Sequence, residues 1–148
     1  MLASVTPKKS MQTIWHQLRN TAIQSLNPRT VSPWIEVGSV ASAIESGKGR
    51  IFTGVCVDTA CSLGICAERS AIFQLLAAGE NEIRRIVTIN CNAELMPPCG
   101  ACRELIAQMM PSNYQNVECL SKNALSLWEN CSPIVGFNRR YRLRKICL

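Results

Sequence analysis

The sequence predicts an α/β fold, a three-layer sandwich in which a mixed sheet carries helices on both faces. Apolar residues recur at helical spacing near the start, and two β-rich segments follow around a glycine-containing loop. Beyond them, helical and extended stretches alternate, the order that places helices against a sheet rather than against one another.

The elements follow in order. Ile14, Leu18, Ala22 and Leu26 share one helical face, Trp15 and Ile23 widen it, and Asn27-Pro28 ends the helix. Residues 37–44 and 50–57 read as paired strands joined by Glu45-Ser46-Gly47-Lys48-Gly49, whose glycines suit a hairpin loop. After irregular residues 58–64, a helix over 66–78 stops at Gly79, and 84–90 reads as a strand with Arg84-Arg85 as a surface pair at its entry. Pro97 and Pro98 delay the next helix to 99–110, which Pro111 ends. Residues 117–120 read as a strand and 124–128 as a short helix.

A chain of 148 residues buries one good core and is too short for two comfortable domains. We expect a flexible leader over 1–12, a single folded domain over 13–137 and a basic tail over 138–148. No apolar run approaches a membrane span, and the basic residues of the leader follow its apolar ones, unlike a secretory signal. Nine cysteines without such a signal indicate a reducing, cytoplasmic setting with some thiols assigned to a metal. Cys56, Cys61, Cys91, Cys119, Cys131 and Cys147 read as shielded thiols or small core residues.

The remaining three cysteines carry chemistry. Cys66-Ala67-Glu68 and Pro98-Cys99-Gly100-Ala101-Cys102 supply three thiolates and one carboxylate. Cysteines separated by two residues close on one metal from a single turn, and a third from elsewhere leaves the fourth tetrahedral position open. Glu68 stands where a proton shuttle would reach a water at that position. Both segments begin helices, whose positive ends offset the charge of three thiolates. The alternative is a non-catalytic zinc-stabilised module that binds nucleic acid, but no fourth ligand has suitable spacing. The sole histidine, His16, lies in the first helix as a surface residue.

On Gly64-Ile65-Cys66-Ala67-Glu68-Arg69-Ser70-Ala71-Ile72 and Pro98-Cys99-Gly100-Ala101-Cys102-Arg103-Glu104-Leu105-Ile106 the chain resembles the small tetrameric cytidine deaminases and their relatives, the blasticidin S deaminases. Weaker similarity covers residues 37–137. The resemblance implies a cytidine deaminase-like sheet order, Zn2+ on Cys66, Cys99 and Cys102, and hydrolytic deamination of cytidine or deoxycytidine, as in pyrimidine salvage. In it, Glu68 shuttles the proton from water to the ring nitrogen, Arg69 bonds the ligand sulfurs, and Arg103 is a further candidate for that support. A homotetramer is likewise implied, with Phe137 as a lid over a neighbour's pocket.

Three positions depart from the pattern. Cys56-Val57-Asp58 stands where nucleoside-binding members have Asn-x-Glu, and Gly38 where they have a phenylalanine beside the substrate. Cys56 and Asp58 are therefore the candidate substrate contacts, and a modified cytosine nucleoside such as blasticidin S is the alternative substrate. The tail Asn138-Arg139-Arg140-Tyr141-Arg142-Leu143-Arg144-Lys145 and a net charge of +6 would suit phosphates, but read as a solvated terminus rather than a nucleic-acid site.

Overall fold

The computed structural model describes residues 7–110, 113, 116–121 and 124–127. Helix α1 (Pro7–Ser25) leads into β1 (Arg29–Ser32), β2 (Ile35–Ser46) and β3 (Ile51–Thr59). Helix α2 (Ala67–Ala77), β4 (Ile83–Asn90) and α3 (Gly100–Met109) follow, and then β5 (Glu118–Ser121) and β6 (Ala124–Leu127).

β2 is the centre of the sheet. β3 runs antiparallel along one edge, while the other edge is shared by β1 at Ile35–Val37 and by β4 from Val40 to Ser46. β4 pairs in parallel with β5, which turns back into β6, so the sheet is mixed. α1 covers one face through Trp15, Leu18 and Ala22 packed on Ala41, Ala43, Val87 and Ile89. α2 and α3 cover the other, where Ile72, Leu75 and Ile106 meet Ile44, Phe52 and Ile86. The helical and period-2 patterns in the sequence therefore sort the two cores to opposite faces, completing the three-layer sandwich.

Four local expectations are corrected. α1 begins at Pro7, within the stretch read as leader, because proline is tolerated in a first helical turn and the following residues continue the helix. β1 is an added strand: Arg-Thr-Val-Ser is four residues long, exposed, and held by pairing with β2 rather than by burial. Residues 124–127 form a strand, not a helix, because four residues are too few to nucleate a helix while β5 offers a complete antiparallel partner. Arg85 is no simple surface residue. Its guanidinium bridges Glu45 at 2.7 Å and Glu118 at 2.9 Å and lies 5.7 Å from the Trp15 ring centre, joining three strands and α1.

Two glycines allow close approaches that fix the layers. At Gly54 a Cβ would stand 2.3 Å from the backbone nitrogen of Ala71 and 2.6 Å from the carbonyl of Ala67, so α2 rests directly on β3. Gly38 lies within the irregular register of β2 at φ +79°, where a Cβ would fall 2.2 Å from the Asn27 carbonyl oxygen. A phenylalanine cannot stand there with this backbone.

No helix among the described residues is long and apolar enough to cross a membrane. We expect Gly54→Ala to lift α2 from the sheet and cost about 1–3 kcal/mol, as overpacking does. Urea unfolding measures it, and an unchanged midpoint would contradict the direct contact.

Candidate metal centre

The two ligand segments are pinned to strand ends. Just before α2, Ile65 bridges to Val57 through paired backbone hydrogen bonds of 2.9 Å. Just before α3, Leu95 bridges to Ile89, and the Met96 N–H donates to the Thr88 carbonyl at 2.8 Å. Both helices thus start beside the ends of β3 and β4, the two strands that flank β2. The geometry follows from pairing, not from the ligands themselves.

Cys66 is the N-cap of α2 and Cys99 the N-cap of α3, each with extended backbone and no side-chain capping bond, so neither sulfur is spent on its helix. Cys102 occupies the first turn of α3, three residues after the cap, a spacing that brings an N-cap side chain beside its partner. The Sγ atoms lie 3.6 Å apart for Cys66 and Cys99 and 3.4 Å apart for Cys99 and Cys102, and all three fall within 4.8 Å of one another. Tetrahedral zinc with Zn–S near 2.3 Å requires sulfurs roughly 3.8 Å apart, so the spacing fits.

Electrostatics point the same way. Burial raises the Cys66 thiol, reinforced by the hydrogen bond to Cys99. Burial also raises Cys102, with the Glu68 charge adding to it. At Cys99 burial opposes ionisation but is outweighed by the Cys102 backbone N–H and the neighbouring thiols, and its pKa is lowered. One thiolate is therefore favoured while two thiols resist, a conflict that a bound dication removes. Around Arg69 burial is outweighed by the hydrogen bond to Cys66 and the charge of the three sulfurs, which hold it firmly protonated. Arg69 also donates to the Gly64 carbonyl at 3.5 Å, while its buried Nε has no hydrogen-bond partner among the described residues.

Glu68, in the first turn of α2, is only 4% exposed. Burial raises its carboxyl above the usual carboxylate range, against the opposing pull of its own backbone N–H and of Cys102, Thr88 and Arg69. It shares with Cys66 and Cys99 a cleft of about 460 Å³, within the range of small-molecule sites. A smaller hollow of about 140 Å³ beside Arg84, Arg85 and Glu118 holds none of these groups.

The candidate substrate contacts reach the same cleft. Cys56 is buried, and its thiol donates to Asp58 Oδ2 at 3.4 Å and lies 3.2 Å from Ser39 Oγ. Thr88 also lines it and escapes the sequence reading, although a lone hydroxyl within Ile86-Val87-Thr88-Ile89 is a legible signal. Arg103 stands half-buried in the first turn of α3, and His16 is exposed on α1. Cys61 and Cys91 are exposed, not shielded, because both sit in loops at strand ends; Cys56 and Cys119 are buried. Phe137, Cys131, Cys147 and the basic tail lie outside the described residues. Among the described residues no fourth cysteine or histidine joins the three sulfurs, so the zinc-stabilised module lacks its closing ligand.

Cys102→Ala is expected to abolish stoichiometric zinc retention without unfolding the chain, read by elemental analysis beside circular dichroism. One bound zinc per chain in that variant would contradict the assignment.

Residues 16–117 match the family described as the cytidine and deoxycytidylate deaminase zinc-binding region. A cytidine deaminase of Halalkalibacterium halodurans is 32% identical over 76 residues, covering 50% of this chain and 57% of that protein. A blasticidin-S deaminase of Bacillus cereus is 26% identical over 104 residues, covering 64% of this chain and 74% of that protein. The chain spans about half the length of the curated cytidine deaminases it matches. The crystal structure of cytidine deaminase from Mycobacterium leprae has the same fold, with a TM-score of 0.68 at 24% identity over 80% of this chain and 97% of the other. That of Burkholderia pseudomallei gives 0.63 at 25% identity over 81% and 97%. With this match over more than half its length, the chain belongs to the cytidine and deoxycytidylate deaminase zinc-binding family.

Proposed function

We propose that this chain is a zinc-dependent aminohydrolase that converts cytidine or deoxycytidine to uridine or deoxyuridine and ammonia. The observation that carries the reading is a buried carboxyl, Glu68, opening into the same cleft as the Cys66 and Cys99 sulfurs. Cys66, Cys99 and Cys102 would hold the ion, which when bound supplies the Lewis acidity that makes water a nucleophile near neutral pH.

Glu68 takes one proton from the attacking water and delivers it to the ring nitrogen, then takes the second from the hydroxyl newly attached to the ring carbon and delivers it to the amine, which leaves as ammonia. Burial suits it to this role, because a carboxyl raised from its ordinary range holds a proton in mid-cycle and still releases it. Arg69 offsets the thiolates through Cys66 and keeps the ligand set from becoming too electron-rich.

Cys56 and Asp58 line the part of the cleft offered to the rest of the substrate. A thiol engaged with Asp58 replaces an amide donor, and Gly38 leaves no aromatic wall, which favours a modified cytosine nucleoside such as blasticidin S as a second reading. A site with altered hydrogen-bond partners discriminates strongly between such substrates.

We further propose a cytoplasmic enzyme of pyrimidine salvage working as a homotetramer, with Phe137 closing a neighbour's pocket. Exposed Trp34 at 69%, Leu63 at 85% and Phe73 support coverage by further copies. Sedimentation should give the mass of four chains; a stable monomer would leave Phe137 without a pocket to close.

Glu68→Gln should retain zinc and fold yet lose at least about 100-fold in turnover, the low end for a removed proton shuttle. Ammonia release from cytidine, deoxycytidine and blasticidin S measures both this loss and the substrate preference. Wild-type rates in the variant, or no release from any of the three by zinc-loaded protein, would refute the reading.

A further inference from the structure

β2 and β3 pair regularly at both ends of their contact but not in the middle. Val37 faces Val57 and Ala41 faces Val55, so Gly38, Ser39 and Val40 all stand opposite the single residue Cys56. A bulge of this kind re-aims side chains and recurs beside active sites. This one is pinned from behind. The Asn27 N–H donates to the Gly38 carbonyl at 3.2 Å, and Gly38 takes its left-handed conformation against the Asn27 carbonyl.

The bulge delivers Ser39 to the buried Cys56, with 3.2 Å between Oγ and Sγ. A thiol has one hydrogen, and Cys56 donates it to Asp58 Oδ2 at 3.4 Å, so the hydrogen of the other bond comes from the Ser39 hydroxyl. The three side chains form a one-way chain from Ser39 through Cys56 to Asp58. Cys56 and Asp58 line the cleft, and half-buried Ser39 stands behind them. Asp58 has need of a tether, because it is exposed at the end of β3 and its cross-strand partner is Glu36, a like charge on the same face. Among the described residues no basic side chain pairs with either carboxylate, and Asp58 Oδ1 accepts no hydrogen bond.

We propose that Ser39, acting through Cys56, is a positioning residue that fixes the Asp58 carboxylate so that Oδ1 accepts a hydroxyl on the sugar of the substrate. Both hydrogens of the chain point toward Asp58, which leaves the carboxylate with a donor at one oxygen and the other oxygen open to the ligand. Packing alone would accept alanine at 39. Without the hydroxyl, however, the thiol has no second partner to fix its rotation, and the carboxylate it holds is free to turn with it.

The inference rests on the reading of Asp58 as a substrate contact, and calorimetric binding of uridine to the zinc-loaded protein separates the two. Asp58→Ala tests the parent reading and should weaken uridine about 10- to 100-fold, the scale of a hydrogen bond to a charged group. Unchanged affinity there, or no uridine binding by the wild type, overturns that reading. Ser39→Ala should weaken uridine about 3- to 10-fold, the scale of one neutral hydrogen bond, and raise the KM of cytidine by a similar factor with kcat within about twofold. The double variant Ser39→Ala/Asp58→Ala should lose nothing beyond Asp58→Ala, since both act at one carboxylate. Cys56→Ser keeps a donor and an acceptor in place and should stay within about threefold of wild type, whereas Cys56→Ala should match Ser39→Ala. Affinity lost in Asp58→Ala but kept in Ser39→Ala overturns only the role of Ser39. Additive losses in the double variant, a Cys56→Ser variant no better than alanine, or a fall in kcat in place of a rise in KM overturn it equally.

Discussion

Everything at the site depends on two backbone tethers that fix where two helices begin. Ile65 bound to Val57 and Leu95 bound to Ile89 stop the chain at the ends of β3 and β4, and the next turns can only start there. Because each N-cap is a cysteine with no capping duty, the tethers aim three sulfurs at one point. The cost is a concentration of like charge in a half-buried place, met by two positive helix ends, by Arg69 and by the dication for which the spacing is suited.

The sheet beneath is shaped to the same end. Gly54 lets α2 lie on the strands without a side chain between them. Apolar rows farther along hold the helix down by burial, while the row under its first turn is polar and small. Along this one helix Ile72 and Leu75 anchor the body, and Cys66, Glu68 and Arg69 gather at its start. The substrate end is less conventional. Cys56 bound to Asp58 lines the cleft, while a left-handed Gly38 is pressed on the Asn27 carbonyl and leaves no room for an aromatic side chain.

Much of this is legible in the residues because it is local. The face of α1, the N-termini of α2 and α3 and the hairpin of β2 and β3 follow from periodicity, prolines and glycines, and the ligand set from short spacings. What stays hidden depends on partners distant in sequence. β1 and β6 exist through strand pairing that four residues cannot announce, and Arg85 looks superficial until Glu45, Glu118 and Trp15 close around it. Ser42 and Thr88 lie 46 residues apart and meet in a buried hydrogen bond only once β2 and β4 pair. Gly38 can be seen as a missing aromatic, but only the Asn27 carbonyl explains why nothing larger stands there.

X-ray absorption at the zinc edge of the purified full-length protein tests the central claim most directly, since it counts ligands without reference to activity. Convergence of the tethered cysteines predicts three sulfur scatterers near about 2.3 Å and one lighter oxygen or nitrogen neighbour in the fourth position. A shell of four sulfurs, or of fewer than three, would contradict it.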